Sequence, residues 1–158
     1  MRAFHASNRA AGNQGGEQDA ATLDATIKFI RAGHSNLHPV ERARLGDLAS
    51  WCHSAIHLQC ASGRDTLSLW VDGVERVVDV DISDVHIANA ERLSAAVGCA
   101  TARWYICDVL DTPHELDDSA DLVTPGGSAG EHRTSGSLGI NGIRLAARTG
   151  SGDWSGSP

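Results

Sequence analysis

The chain is 158 residues long, the size of one ordinary domain. Its apolar fraction is 41%, and no run approaches the ~18 apolar residues that a membrane span needs. The formal charge is −7, with thirteen bases of which only Lys28 is a lysine, so the basic footprint of a nucleic-acid binder is absent. The four cysteines, at 52, 60, 99 and 107, form no CxxC pair, and no charged-then-apolar leader opens the chain; a reduced, cytoplasmic protein is the expectation.

Residues 1–17 are polar and rich in Gly, Asn and Gln, and read as a flexible arm. Leu23, Ile27 and Ile30 then recur at helical spacing, with Gly33 where a C′ glycine belongs. Pro39 suits the first position of a second helix, with Val40, Leu45 and Leu48 facing inward. Residues 55–58 form a short strand, and Gln59 to Gly63 a small-residue turn. Residues 64–71 read as a helix in which Trp70 threatens to overpack the sheet. A second strand, 76–81, is β-branched through Val77, Val78 and Val80. Ser83 is placed to N-cap the next helix, whose Ile87, Ala90, Ser94 and Val97 share one face before Gly98. A third strand covers 102–107. Thr112-Pro113-His114-Glu115 has the form of a capping box, and 120–124 reads as a fourth strand. From 124 to 158 nine of thirty-five residues are glycine, a texture that cannot bury enough apolar surface to offset its ordering entropy.

Helices of this length between β-branched runs predict an α/β fold: a doubly wound, mostly parallel, Rossmann-like sheet of about four strands with disordered termini. The packed unit spans 18–124, flanked by the arm and by a tail over 125–158. Such sheets bind ligands outside the carboxyl ends of their strands, and three of those ends are polar. The turn Gln59–Gly63 leads into a helix whose first amides can meet an anionic group. Asp81 closes the second strand eighteen residues after Gly63, placed for ribose hydroxyls. Asp108 closes the third, placed for an adenine amino group. An acid at a strand end is also an ordinary turn residue; three polar ends in chain order favour a nucleoside-containing ligand.

The segments HLQCASGRDTLSL, VDVDIS, CDVLDTP and ADLV, in that order, resemble the class I S-adenosylmethionine-dependent methyltransferases, in particular those with an HLQC-type first motif. The likeness covers roughly residues 28–124. The family's usual acid-h-G-x-G-x-G falls on His57 to Gly63, so that only Gly63 keeps its glycine. The resemblance implies S-adenosylmethionine as cofactor and a small-molecule methyl acceptor. It places the methionine part over Gln59, Ala61 and Gly63, the ribose on Asp81, and the adenine on Ile82, Asp108 and the Val109 backbone. It names no catalytic side chain and no metal. The family pattern stops after ADLV, so the chain is expected to be truncated after its fourth strand. An inactive remnant with weak or no cofactor binding is the alternative reading. A nicotinamide-dependent oxidoreductase is disfavoured by the missing GxGxxG.

Other features have plainer readings. His34 and His38 are four apart, but Gly33 and Pro39 place them in a loop without further zinc ligands. His57, Cys60 and Cys107 read as buried or edge residues rather than bases or nucleophiles. The exposed edge of the fourth strand, near Val123, predicts self-association; no nucleic-acid or membrane partner is expected.

Overall fold

The structure, a computed structural model, describes residues 2–59 and 61–126, with side chains from residue 6 onward. The elements in chain order are α1 (Arg2–Ala20), α2 (Leu23–Arg31), α3 (Pro39–Leu45), a 3-10 turn (Leu48–Ser50), β1 (Ser54–Leu58) and α4 (Arg64–Val71). β2 (Arg76–Asp81), α5 (Asp84–Val97), β3 (Arg103–Ile106), a second 3-10 turn (His114–Leu116) and β4 (Leu122–Pro125) follow. All strand pairings are parallel, in the order β3-β2-β1-β4. The chain winds outward from β1 to β3 and then returns to the other side of β1, which is the reversal that defines a doubly wound sheet. The α/β, parallel, four-strand expectation is borne out.

Strand alternation sorts the core into two layers. Ala55 and Val77 meet Leu67, Leu69, Val74 and Leu93, with Leu23, Ile30, Leu37 and Leu48 sealing the outside. Ile56, Leu58 and Val80 point to the opposite face, where Leu116, Val109, Ala120 and Val123 from the β3–β4 connection and β4 cover them. Burial of each such aliphatic side chain stabilises by about 1.5–3 kcal/mol. β1 is buried along its whole length because both layers use it, whereas the edge strand β3 buries none of its residues.

Helix ends follow their local chemistry. Ser83 Oγ accepts the His86 amide at 3.1 Å, capping α5 as its position predicts. α2 and α5 end at Gly33 (φ +77) and Gly98 (φ +81), and in each the amide after the glycine reaches back to a carbonyl of the last turn, His34 to Phe29 and Cys99 to Ser94.

Three expectations need correction. Residues 1–17 do not form a loose arm: from Arg2 they belong to α1, which packs along α5. Composition misled because this helix docks by backbone proximity and polar pairs rather than an apolar stripe. Of the residues expected to face inward from the second helix, Val40 is 53% exposed, Leu45 is partly buried against the core, and Leu48 is buried from the 3-10 turn rather than from α3. His38 lies in the loop before α3, as expected, and its Nδ1 accepts the Val40 amide at 3.3 Å, which caps the helix. Thr112 caps nothing: the following turn starts from Pro113 and lasts one 3-10 turn. Trp70 is half-buried, packed against this helix–sheet core and lining a surface cavity with Ile30, Arg31 and Val97. Of the tail expected over 125–158, Pro125 still belongs to β4, and 127–158 lie outside the described residues.

Candidate functional site

The turn after β1 has an unusual backbone. Gln59 and Ala61 take φ +58 and +55, and Gly63 takes φ +80, so every second residue lies in the left-handed region that L side chains disfavour by about 1–2 kcal/mol. These are the three positions at which the resembled motif carries glycine, and the conformation supplies the physical reason. At Gly63 the need is also spatial, since a Cβ would lie 2.7 Å from Ala90 Cβ and 2.9 Å from the Trp104 ring. Gly63 is therefore a packing residue that lets α4 start hard against α5 and β3.

The strained turn is held by its neighbours. The Gln59 amide donates to Val80 O at 2.7 Å. The Ala61 amide donates to Asp81 Oδ2 at 3.1 Å, and the Ser83 amide to Asp81 Oδ1 at 2.8 Å. Asp81 is thus a buried carboxylate with each oxygen oriented by a backbone N–H, and it joins the end of β2 to the turn after β1. Asp108 Oδ1 accepts the Leu110 amide at 2.8 Å, which fixes the bend after β3.

Gln59, Asp81, Ile82, Asp108 and Val109 line one cavity of about 270 Å³ at the carboxyl ends of β1, β2 and β3. Of the seven residues singled out from sequence, these five come together. Ala61 instead lines a neighbouring cavity of about 210 Å³ with Asp19, Ser62 and Asp65, and touches the first site through its amide to Asp81. Gly63 is buried in packing. Two residues escaped the sequence reading: Asn8 and Ala11 of α1 complete the wall of the 270 Å³ cavity. The one signal for them was the spacing of Gly12, Gly15 and Gly16, which lets a helix approach another closely. A larger cavity, about 740 Å³, lies under α3 beside Asp72. It is at the other end of the strands, and its polar groups satisfy one another, Arg42 with Asp72 at 3.0 Å and Ser35 with Asp72 at 2.7 Å.

Beneath the turn, His57 Nδ1 lies 2.9 Å from Thr66 Oγ1, and Thr66 also reaches Asp79 Oδ2 at 3.4 Å. Burial pushes the His57 imidazole down to about 4, against smaller upward pulls from Asp65 and the Pro125 carbonyl, so at neutral pH it is an uncharged structural group. Beside the turn, Ser62 Oγ donates to Asp19 Oδ2 at 2.7 Å and faces His86 Nδ1 at 2.9 Å. A nucleophilic serine would donate to the imidazole, with the carboxylate behind the ring. Here the hydroxyl donates to the acid directly, which fastens α1 to the turn and does not activate the serine. Cys107 is half-buried and its thiol is raised by desolvation and by the acids at 111 and 108, the opposite of an activated thiolate. Among the described residues no three His, Cys, Asp or Glu side chains converge as a metal site, and no helix is long and apolar enough to cross a membrane.

No family model and no curated protein matches the chain. Among solved structures it is similar to coclaurine N-methyltransferase bound to N-methylheliamine and SAH, with 21% identity and a TM-score of 0.43 over 54% of this chain and 24% of that one. It is also similar to the bifunctional kinase-methyltransferase WbdD, with 20% identity and a TM-score of 0.40 over 65% of this chain and 20% of that one. The chain therefore spans a quarter or less of the length of these neighbours.

Proposed function

We propose that the chain binds S-adenosylmethionine at the carboxyl ends of β1, β2 and β3, as a methyltransferase-type domain acting on a small-molecule acceptor. The observation that carries this reading is the convergence of Gln59, Asp81, Ile82, Asp108 and Val109 on one cavity. Their chemistry fits a nucleoside. Asp81 is acceptor-only when ionised and is aimed by two amides, which suits it to a pair of ribose hydroxyls. Ile82 and Val109 offer apolar contact to a flat base, and Asp108 an acceptor for an exocyclic amine. The turn at 59–63 brings backbone close to whatever extends from the ribose.

When bound, the cofactor supplies an electrophilic methyl group. The chain's part is to hold and orient, because methyl transfer rests on proximity and in-line approach and needs no protein nucleophile. This agrees with the unactivated state of Ser62 and Cys107. The acceptor site itself has no residue assigned to it.

Calorimetric titration of the full chain with S-adenosylhomocysteine tests the proposal without knowledge of the acceptor. Saturable binding that weakens in Asp81→Ala is the expected result. No heat with S-adenosylhomocysteine, or tighter binding of a nicotinamide dinucleotide, overturns it.

A further inference from the structure

From residue 6 onward α1 buries no apolar side chain. Among its residues 6–20 only Gly16 is buried. Its attachments to the rest of the molecule are polar: Arg9 and Asn13 to Asp84 Oδ1 at 3.2 and 3.1 Å, Ser83 Oγ to Asn13 Oδ1 at 2.7 Å, and Asn89 Nδ2 to the Gly16 carbonyl at 2.7 Å. At its end Asp19 takes the Ser62 hydroxyl. Between these pairs the backbones approach until a Cβ at Gly16 would lie 2.8 Å from Val85 Cγ1 and 3.1 Å from the His86 amide nitrogen. Little hydrophobic free energy holds this part of the helix down; the exposed pairs to Asp84 add only ~0.2–1 kcal/mol each, so the part-buried and buried hydrogen bonds to Ser83, Asn89 and Ser62 carry much of the attachment.

The same helix walls the nucleoside cavity through Asn8 and Ala11. Its docking seam, Ser83 to His86, follows directly on the cavity residues Asp81 and Ile82, and Asp19 grips the turn on the other side. With α1 in place the cavity, about 270 Å³, is just below the ~300 Å³ at which small-molecule sites usually begin.

We infer that α1 is a ligand-coupled wall of the cofactor pocket: its polar, glycine-seamed docking onto α5 and occupancy of the pocket stabilise each other. The inference rests on the cofactor reading above. Coupling of this kind is reciprocal, so a change that undocks α1 must weaken the ligand by the factor by which the ligand favours docking.

Two adjacent substitutions separate docking from helix formation. Gly15→Ala and Gly16→Ala raise the intrinsic helix propensity of α1 equally. At Gly15 the new methyl would meet the His86 ring at an ordinary 3.4 Å, whereas at Gly16 it collides with Val85 and the α5 backbone. Calorimetry with S-adenosylhomocysteine on the full chain should find Gly15→Ala within about twofold of the parent and Gly16→Ala weaker by about tenfold. In the parent chain, hydrogen exchange of the α1 amides should slow when S-adenosylhomocysteine is added. If the parent binds but α1 exchange is unchanged, or Gly16→Ala binds as well as Gly15→Ala, the coupled wall is overturned and the cofactor reading stands. If the parent does not bind at all, both fall. Should Gly16→Ala fold poorly, Asn13→Ala with the parent's exchange data decides the same question.

Discussion

Asp79 and Asp81 sit two residues apart on β2 and point to the same face of the sheet, yet their surroundings assign them different work. Asp79 is fully buried beside the Thr66 hydroxyl, whereas Asp81 opens onto the cavity. Asp81→Ala should weaken S-adenosylhomocysteine by roughly 1.5–3 kcal/mol, the range for hydrogen bonds to a charged group. Asp79→Ala should instead lower the urea midpoint with little change in affinity. Equal affinity losses in the two variants would remove the ribose assignment. His57 supplies a pH dependence. Its folded value of about 4 lies below its ordinary 6.5, so the unfolded chain binds more protons between those limits. The stability it contributes is complete above about pH 6.5 and is lost as pH falls toward 4, by up to about 3 kcal/mol. Urea unfolding across that range should be flatter in His57→Asn, with an unchanged slope counting against a neutral His57. At Ala61 the left-handed backbone makes an unusual prediction. Ala61→Gly should stabilise by about 0.5–1 kcal/mol, the relief of strain less the added chain entropy.

At the level of elements, what was legible in the sequence followed from how each element is held. α2, α5 and the strands declare themselves because their apolar periodicity is also their means of attachment, and Ser83, Gly33 and Gly98 mark their ends. That Asp81 and Asp108 line one cavity was legible for the same reason, as polar positions closing β-branched or aromatic runs. α1 was illegible, because a helix docked through glycine and side-chain amides writes no hydrophobic stripe, and with it went Asn8 and Ala11. Position 63 makes the contrast measurable. Gly63→Ala places a methyl against Ala90 and Trp104 at a residue with φ +80, so it should destabilise by about 2–4 kcal/mol. Thermal melting would show it, and a melt like the parent's would mean that α4 can back away from α5.

For the molecule as a whole, the open question is what the sheet's borders meet. β3 and β4 are its edge strands, and among the described residues nothing pairs beyond them. Ile106 and Leu110, at and after the end of β3, are 53% and 56% exposed. Unpaired amides and carbonyls along such edges template association with another chain. The sedimentation coefficient should rise with protein concentration and be lowered in Val123→Lys, which puts a charge beside the β4 edge. A monomer at all concentrations would count against it.

The place of β1 has a consequence for how the chain assembles in time. β1 is central, pairing β2 on one side and β4 on the other, but β2 follows it after one helix, while β4 arrives only after β2, α5 and β3. Closing the longer loop costs more entropy before any pairing repays it. The β1–α4–β2 unit should therefore be the nucleus, with β4 locking on late, through Asp121, whose carboxylate takes the His53 and Ser54 amides at 2.9 and 3.1 Å. Asp121→Ala should then speed unfolding and leave the refolding rate nearly unchanged, whereas Val77→Ala should slow refolding. Among the described strands the last to pair is then also the first to leave, so a chain opening at β4 exposes Ile56, Leu58 and Val123 while the ends of β2 and β3 that wall the 270 Å³ cavity remain assembled.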